Sequence, residues 1–370
     1  MAIGALFMAE NREANISEGA SWSGHDEHML LVAPRSAGPV APGMRWGVIL
    51  AGGGGTRLQC LTRLITGDDR PKQFCSLIGD QTLLEQTRIR AERSIAPRRI
   101  VVPVTKIHAE FYLREFGIRP EQRIVQPSNK GTAPPIVFSL LSIERNDPEA
   151  IVAILPSDHH YSDDREFTAA LDSAFGVASE NPGSVVLLGA PPRSPETEYG
   201  WIELGSAIAG HENIAFDVRG FREKPSSRLA MQLFESGSLW NTFVMVGHVR
   251  AFLDMVSAAR PDLPEAFSGH TLWGEKETNI DALLYDQLQP VDFSREILSV
   301  QAHRLVAMGL NFAGWSDLGH PERVMEVLQA TSQEPWWMGE WESLRLSVTT
   351  LSATTWSATA AGTRADSVVA

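Results

Sequence analysis

The stretch WGVILAGGGGTRLQCLTRLITGDDRPKQF, from Trp46 to Phe74, decides the fold of this chain. A short apolar run leads into four consecutive glycines, Gly52 to Gly55, and Arg57 follows directly. A buried strand that ends in glycines lets the backbone approach a phosphate or a base closely. Arg57 and Lys72 can then neutralise the charge of such a ligand. The stretch therefore predicts a strand followed by an anion-binding loop.

The loop differs from two common glycine motifs. A P-loop needs Lys-Ser or Lys-Thr after its last glycine, and no such pair follows Gly55. The dinucleotide-binding fingerprint G-x-G-x-x-G needs a third glycine where Arg57 stands. The alternative prediction, a nicotinamide-dependent oxidoreductase, would therefore be supported only by a glycine loop that follows a strand. A flexible turn explains the glycines alone equally well, but not the basic residues beside them.

Length and cysteine content predict a globular protein of a reducing compartment. The 370 residues, 43% of them hydrophobic, are enough for one large domain or two. No apolar run approaches the ~20 residues of a membrane span, and the start MAIGALFMAE has no basic region typical of a signal peptide. Cys60 and Cys75 do not suggest a disulfide framework. We expect a cytoplasmic protein without a membrane partner.

The net charge of −13 restricts the partners. Sequence-independent binding of nucleic acid needs a broad basic surface, so we do not expect a nucleic-acid partner. A nucleotide substrate is still possible, because it needs only local cations such as those between Arg57 and Lys72.

The chain divides into a central region and two ends of different composition. Residues 1–44 are rich in Gly, Ala, Ser and Pro and predict a disordered extension, and Met44 could be the biological start. Residues 331–370 end in a Ser/Thr/Ala-rich run without a repeating apolar face, which predicts a poorly ordered tail. The region between them, 45–330, holds every motif discussed below.

Strand-like and helical patterns alternate in the first part of this central region. Predicted strands cover Trp46–Leu50, Ile100–Val104, Ile151–Leu155 and Ser184–Leu188, and predicted helices cover Thr82–Ser94, Thr132–Arg145 and Asp164–Ser179. Apolar strands that alternate with helices predict an α/β fold with a doubly wound, mostly parallel sheet. Beyond residue 190 the pattern changes to a hairpin, Tyr199–Leu204 with Ala215–Phe221, and a strand at Leu239–Gly247. Ligands of such sheets bind beyond the carboxyl ends of the strands.

The glycine loop and the segment that follows it resemble those of a known family. GGGGTRL followed by RPKQF is similar to the signature of sugar-phosphate nucleotidyltransferases, and the PKQF form is most similar to mannose-1-phosphate guanylyltransferases. The resemblance covers about residues 45–330. It implies a Rossmann-like nucleotidyltransferase fold, with a nucleotide-binding half at about 45–190 and a β-rich, sugar-phosphate-binding half at about 191–330. The nucleotide-binding residues that it implies in the loop are Ala51, Gly52, Gly53, Gly54, Gly55 and Thr56.

Two aspartates are candidate ligands for Mg²⁺. Asp158 follows the apolar run IVAIL, at the tip of a predicted strand, where a carboxylate can hold Mg²⁺ beside a triphosphate. On the residues alone, a turn acid that caps the next helix is equally possible. The resemblance implies that Asp158 binds the metal. It also implies that Asp317, in a segment that resembles W-x-D-x-G, is the second ligand.

Three further motifs resemble the sugar-phosphate site of the family. Phe221–Pro225 is similar to F-x-E-K-P, in which the lysine, here Lys224, holds the phosphate and the glutamate, here Glu223, accepts hydrogen bonds from sugar hydroxyls. Gly200 lies in a segment similar to Y-G-Y-I, and Asn241 in one similar to W-N-S/T. On sequence alone, the Glu-Lys pair could also be a surface ion pair before a turn.

The segment expected to contact the base departs from the guanylyltransferase pattern. Those enzymes typically have E-P-x-x-R-N-T-A-P-A, whereas this chain has Gln126, Lys130, Gly131 and Pro135 in place of Glu, Arg, Asn and Ala. Gln126 and Gly131 also resemble the thymidylyl- and uridylyltransferases, in which they contact a pyrimidine. The resemblance therefore implies Gln126 and Gly131 as base-binding residues, with a glucose-1-phosphate thymidylyl- or uridylyltransferase as the alternative.

The resulting prediction is Mg²⁺-dependent transfer of a nucleotidyl group from an NTP, GTP favoured, to a sugar-1-phosphate, mannose-1-phosphate favoured. Arg57 and Lys72 are the predicted catalytic residues, because this chemistry needs positioning and charge neutralisation. A catalytically silent regulator with the same fold would be expected to lack Arg57, Lys72, Asp158 or Asp317, and all four are present. A homo-oligomer is possible.

Overall fold

The apolar run before the glycines forms a central strand, Arg45–Leu50 (β1), in the computed structural model, which describes residues 44–268, 276–310 and 314–345. The predicted extension, except for Met44, and residues 346–370 of the predicted tail lie outside the described residues. All described residues belong to one compact unit, Ala33–Ala370.

The described strands include counterparts of all seven predicted strands and three short strands that were not predicted. They are β1, β2 (Ile100–Thr105), β3 (Arg123–Gln126), β4 (Ile151–Pro156), β5 (Val185–Ala190), β6 (Gly200–Ala207), β7 (Ala215–Glu223), β8 (Leu239–His248), β9 (Thr278–Asn279) and β10 (Leu305–Gly309). The helices are α1 (Gln59–Thr66), α2 (Leu83–Glu92), α3 (Ala109–Tyr112), α4 (Ala133–Asn146), α5 (Asp164–Glu180), α6 (Ser227–Glu235), α7 (Val249–Ala259), α8 (Asp262–Ala266), α9 (Ala282–Gln287) and α10 (Pro321–Ala330). Ser294–Leu298 forms a short π-helical turn.

Both faces of the sheet are covered by helices. Alternate residues of β1 point to opposite faces, so that Val48 packs with α4 and α7 whereas Ile49 packs with α2 and α5. All of these strand residues are fully buried, as expected for a strand between two helical layers. The α/β architecture predicted from the sequence is therefore confirmed.

The sheet is parallel on the side of the glycine loop and largely antiparallel on the other side. In the described residues its order is β5-β10-β7-β6-β8-β4-β1-β2-β3-β9, with an additional pairing between β5 and β8. From β4 to β9 all neighbours are parallel, while β6, β7 and β8 pair in antiparallel fashion. The sheet is thus more mixed than predicted, because hairpin-connected strands after residue 190 can pair only in antiparallel fashion.

Strand β8 belongs to both parts of the sheet. It pairs with β5 along most of its length, with β4 near its carboxyl end and with β6 near its amino end. The two parts therefore share one strand, which bulges at Thr242 and Phe243, where its pairing with β5 shifts register.

A third apolar cluster lies beside the glycine loop. It joins Leu58 and Leu61 to Leu318, to α10 and to Trp337, which is 1% exposed. Trp337 falls in the tail that was predicted to be poorly ordered. For residues 331–345 the structure differs from that prediction, because the tryptophan buries a large apolar surface that composition alone does not reveal.

Candidate active site

A cleft of about 390 Å³ lies at the carboxyl ends of β1, β3 and β4, and a second hollow of about 340 Å³ adjoins it. Asp158, His159 and Asp317 line both. The carboxyl edge of parallel strands is where ligands of α/β sheets bind. The two hollows are therefore one candidate site with a shared acidic wall.

The glycine loop is held in shape by polar side chains beneath it. Gln73 is 2% exposed, and its Nε2 donates to the carbonyl oxygens of Ala51 at 3.0 Å and Gly53 at 2.8 Å. Thr105 Oγ1 donates to the carbonyl of Gly52 at 2.8 Å. Gly55 has a φ of 61°, and a Cβ there would lie 2.9 Å from the amide nitrogen of Lys72. Satisfied carbonyls leave this loop ordered before any ligand arrives.

The predicted loop residues divide between the two hollows. Gly52 and Gly53 line the larger cleft, Gly55, Thr56 and Arg57 line the smaller hollow, and Ala51 and Gly54 line neither. The loop therefore borders both hollows, although only part of it faces them.

Arg57 is paired with an acidic residue that the sequence did not single out. Its NH1 lies 3.0 Å from Glu198 Oε2 and 3.4 Å from His320 Nε2. Glu198 itself lines the larger cleft. A negatively charged ligand that binds Arg57 must therefore compete with Glu198.

The two predicted metal carboxylates are brought together by an isolated bridge. The amide of His160 donates to the carbonyl of Ser316 at 2.9 Å, and the amide of Ser316 donates to the carbonyl of His160 at 3.1 Å. This bridge sets the segment that carries Asp158 beside the one that carries Asp317. Residues far apart in the chain thus share one wall of the cleft.

Lys72 spans both of these segments. Its Nζ donates to the carbonyl of Asp317 at 2.6 Å and to that of Leu318 at 3.2 Å, and it lies 3.4 Å from Asp158 Oδ2. Lys72 is 9% exposed. A predicted catalytic residue is therefore held at the acidic wall rather than extended into solvent.

The carboxylate of Asp317 is already engaged. Arg323 NH1 donates to Oδ1 at 2.8 Å and to Oδ2 at 3.0 Å, and the Tyr199 hydroxyl donates to Oδ1 at 3.0 Å. Burial acts to raise the pKa of this carboxyl, but the charges of Arg323 and Lys72, with the amide of Gly319 that donates to Oδ1 at 3.0 Å, outweigh burial and lower it. Asp317 is therefore an anion at neutral pH.

Aromatic residues of three separate motifs pack together behind this wall. The rings of Tyr199 and Trp240 are 5.0 Å apart, those of Tyr199 and Trp315 are 5.2 Å apart, and those of Trp240 and Trp315 are 6.4 Å apart. Trp315 Nε1 also donates to His159 Nδ1 at 3.2 Å. Motifs that are distant in sequence thus converge on one support.

The predicted sugar residues Gly200, Glu223 and Asn241 all line the larger cleft. Burial raises the pKa of Glu223 to about 7, and the nearby carboxylate of Asp292 adds to this shift. Asp292 lines the same cleft and was not predicted. The sugar side of the site therefore contains two neighbouring acidic groups.

Lys224, by contrast, does not line either hollow and its side chain is exposed. Its backbone has a φ of 48°, a left-handed conformation that costs a non-glycine residue about 1–2 kcal/mol. Its amide donates to the carbonyl of Tyr199 at 3.1 Å. The structure thus brings Glu223 into the cleft and leaves Lys224 outside its lining.

The predicted base-binding residues Gln126 and Gly131 also line the larger cleft. Gly131 has a φ of 87°, and a Cβ there would lie 2.3 Å from the carbonyl oxygen of Val291. Val291 also pairs through its backbone with Lys130 and Ala133. Only glycine fits this close approach, which accounts for its presence in the segment.

Several residues of the site were not found by sequence reasoning, among them Gln73, Glu198, Tyr285, Asp292 and Arg323. Gln73 lies within the RPKQF motif, so its position was available as a signal. The others act through contacts between distant segments, and no local pattern marks them.

Comparison with known proteins gives the family. The family model described as nucleotidyl transferase matches residues 46–334. The chain belongs to the nucleotidyl transferase family. Apart from Arg45 of β1, the matched range contains all the described strands, the helices α1 to α10 and the cleft residues described above.

Individual relatives agree with this family. The chain is 29% identical over 291 residues to the xanthan biosynthesis protein XanB of Xanthomonas campestris pv. campestris, and 30% identical over 297 residues to a mannose-1-phosphate guanylyltransferase of Escherichia coli. Each alignment covers 77% of this chain and 60% of the relative. This nucleotidyl transferase chain therefore spans about 60% of the length of these curated relatives.

A solved structure is also similar. The crystal structure of mannose-1-phosphate geranyltransferase from Thermus thermophilus matches with a TM-score of 0.65 and 28% identity, over 79% of this chain and 80% of that one. The predicted nucleotidyltransferase fold is thereby confirmed.

Nucleotidyltransferases of this family generally use a divalent metal, and the cleft offers two candidate carboxylates for one. Among the described residues there is no cluster of three or more His, Cys, Asp or Glu side chains that could hold a metal by itself. Mg²⁺, however, is usually held by one or two carboxylates together with substrate phosphates and water. Asp158 and Asp317 provide hard oxygen ligands on the shared wall. The donor set fits, although Asp317 must share its oxygens with Arg323.

No helix in the described part of this nucleotidyl transferase is both long enough and apolar enough to cross a membrane.

Proposed function

We propose that this protein transfers a nucleotidyl group from an NTP to a sugar-1-phosphate and releases pyrophosphate, with GTP and mannose-1-phosphate as the favoured pair. One observation carries the proposal. The glycine loop, the two aspartates and the sugar motif residues Gly200, Glu223 and Asn241 border one continuous cleft. The matches to mannose-1-phosphate guanylyltransferases support the choice of sugar and base.

The chemistry requires no protein nucleophile. An oxygen of the sugar-1-phosphate, already anionic at neutral pH, forms a bond to the α-phosphorus, and the bond from that phosphorus to the bridging oxygen of pyrophosphate breaks. The residues then need to position two anions and neutralise their charge. A metal held by Asp158 and Asp317 would contribute further neutralisation of the phosphates.

Each basic residue has a separate role in this proposal. Arg57 releases its ion pair with Glu198 and binds the β- and γ-phosphates instead. Lys72, which contacts both aspartate segments, binds near the α-phosphate. Lys224 binds the acceptor phosphate at the edge of the cleft. Glu223 and Asn241 orient the sugar hydroxyls, and Gln126 and Gly131 contact the base.

Gln126 and Gly131 also favour a second candidate. A glucose-1-phosphate thymidylyl- or uridylyltransferase would use the same phosphate and metal residues with a pyrimidine base. A panel of four NTPs against mannose-1-phosphate, glucose-1-phosphate and other sugar phosphates, read out as pyrophosphate release, separates the two. We expect GTP with mannose-1-phosphate to be turned over fastest.

Turnover of UTP or dTTP with glucose-1-phosphate at least about tenfold faster would favour the second candidate, since a factor of ten corresponds to one clear hydrogen-bonding preference. No turnover of any pair would favour a catalytically silent regulator.

A further inference from the structure

A buried tyrosine, Tyr285, donates a hydrogen bond to Gln126, the predicted base-binding residue that lines the larger cleft. We propose that Tyr285 is a positioning residue that fixes the carboxamide of Gln126 with its N–H group toward the base, so that the cleft selects bases with a carbonyl oxygen over bases with an amino group. This inference rests on the proposed function, and it names the class of nucleotide that the site accepts.

The geometry of the pair defines the orientation. Gln126 is 3% exposed at the end of β3, and its Oε1 accepts a hydrogen bond of 2.6 Å from the Tyr285 hydroxyl. Its Nε2 lies on the other side, 2.1 Å from where a Cβ of Gly52 would stand. Gln126 and Gly52 both line the larger cleft. The donor end of the amide therefore faces the cleft beside the glycine loop.

The tyrosine favours this orientation because of its own burial. Tyr285 is 0% exposed, and burial raises the pKa of its hydroxyl, so the group carries its proton at neutral pH. If the amide turned over, Nε2 would face the hydroxyl, and the phenolic proton would lose the acceptor that it has in this structure. An unsatisfied buried donor costs about 1–3 kcal/mol, which disfavours the turned-over state.

The helix that carries Tyr285 is hydrogen-bonded to Lys130, in the predicted base-binding segment. Tyr285 lies in α9, where Asp281 Oδ1 accepts from the amides of Leu283 at 2.8 Å and Leu284 at 3.2 Å. Lys130 Nζ donates to the carbonyl of Asp286 at 3.3 Å, and the amide of Val291 donates to the carbonyl of Lys130 at 2.9 Å. The tyrosine and the glutamine are therefore parts of one connected support.

The consequence for the base follows from its edge chemistry. Guanine presents O6 and thymine or uracil presents O4 as acceptors, whereas adenine presents N6 and cytosine presents N4 as amino donors. A fixed N–H donor can form a hydrogen bond with O6 of guanine or O4 of uracil and thymine, whereas it faces a second donor in adenine or cytosine. Sites that leave buried polar groups unpaired discriminate strongly against the wrong ligand. We therefore expect GTP and UTP to bind better than ATP and CTP, respectively.

The test measures nucleotide binding in the presence of Mg²⁺ and without a sugar phosphate. The probes are GTP, ITP, ATP, UTP and CTP, and the proteins are the full-length wild type and Tyr285→Phe. In the wild type we expect GTP and ITP, which share the carbonyl, to bind within about threefold of each other and ATP to bind at least tenfold more weakly. In Tyr285→Phe the amide can turn, so the GTP:ATP and UTP:CTP ratios should each fall by about tenfold.

Two further variants separate positioning from packing. Tyr112→Phe removes the hydroxyl of another buried tyrosine, 4% exposed, and should leave both ratios unchanged. Gln126→Met removes the amide and should lower the ratios at least as far as Tyr285→Phe does. The double variant should match Gln126→Met, because the tyrosine acts only through the glutamine.

Unchanged ratios in Tyr285→Phe, alongside reduced ratios in Gln126→Met, would overturn the role of Tyr285. Tighter binding of ATP and CTP by the wild type would overturn the orientation. If Tyr285→Phe does not fold, the preference of the wild type and the collapse of that preference in Gln126→Met decide the orientation. Failure of the proposed function would be seen in a different measurement, as the absence of pyrophosphate release with every sugar phosphate. Base selectivity is measured by nucleotide binding, so the two failures can be told apart.

Discussion

Glu198 is the residue whose charge is least expected in a site for triphosphates. It faces the larger cleft and holds Arg57 at 3.0 Å, so it occupies the cation that the phosphates need. The side chains of Arg57 and Glu198 are 51% and 42% exposed, and such pairs contribute about 0–1 kcal/mol. The pair is therefore weak enough for a ligand to replace and strong enough to affect its binding.

We predict that Glu198→Gln lowers the KM for the NTP by about two- to fivefold, since the competing charge is removed and the pair is worth about 0–1 kcal/mol. Steady-state kinetics at low and high salt should show the effect shrink as salt screens the charge. Glu203→Gln weakens a partly exposed pair with Arg222, which lines neither hollow, and should leave the KM unchanged. A KM that stays constant or rises in Glu198→Gln contradicts the competition.

Asp158 has a simpler environment than Asp317, and this makes it the better residue for testing the metal site. Asp158→Asn keeps the shape but removes an anionic oxygen, and loss of one electrostatic stabiliser typically costs ~10²–10³ in rate. We expect at least that loss in pyrophosphate release at saturating Mg²⁺, with an unchanged thermal melt. The exposed Asp254→Asn serves as the control. Retention of more than about a third of the rate would refute the metal role, given the usual size of this effect.

Residues inside contiguous motifs were predictable from the sequence, and residues that act across the fold were not. The resemblance identified Gly52, Asp158 and Asn241 because each sits in a short pattern, and the structure brings all three to the cleft. Glu198 and Tyr285 contribute through partners about 140 and 159 positions away in the chain. Such contacts depend on tertiary structure, and no short sequence pattern encodes them.

At the level of elements, α1, α10 and the segment around Trp337 pack together beside the glycine loop. Their shared cluster includes Leu58, next to Arg57, and Leu318, next to Asp317. Packing of this cluster therefore supports both the phosphate loop and the acidic wall.

Trp337→Ala should lower the free energy of unfolding by roughly 3–5 kcal/mol, the usual cost of removing a buried large aromatic side chain. The neighbouring Trp336 is 69% exposed, so Trp336→Ala should change stability by no more than about 0.5 kcal/mol. Chemical denaturation of both variants gives the comparison. Equal, small changes in the two would show that Trp337 does not pack as the structure has it.

The strands and helices of the first half were well predicted because their periodicity is strong. Predicted and observed bounds of β1, β4 and α4 differ by one residue at each end or less. Short strands were missed, including β3 and the two-residue β9. Their formation depends on pairing with a neighbour rather than on their own pattern.

At the scale of the whole molecule, stability should depend on pH through Glu223. Burial and Asp292 raise its pKa to about 7 in the folded protein, above the ordinary 4.5. Between these values the folded protein binds a proton that the unfolded chain has released, so stability falls as pH rises through this window. Buried histidines such as His160, whose pKa burial lowers to about 4, act in the opposite direction over the same range, so the contribution of Glu223 is defined by comparison with a variant. We predict that the melting temperature of Glu223→Gln, which cannot ionise, rises relative to that of the wild type between about pH 5 and about pH 8.

Thermal melts of the wild type, Glu223→Gln and Glu235→Gln at a series of pH values test this prediction. Glu235 is exposed, so its variant should keep the pH dependence of the wild type. The same pH dependence in all three proteins would show that Glu223 does not contribute to it.

The strand shared by the two parts of the sheet limits how this protein can move. Rotation of one part against the other would shear β8 against its partners β4 and β6, which pair with its two ends, and would break backbone hydrogen bonds to them. Local opening therefore has a high free energy there, and amide hydrogen exchange along β8 should require global unfolding. Substrates would then enter and leave by rearrangement of the segments around the cleft, such as the one that carries Glu198, while the sheet beneath them stays fixed.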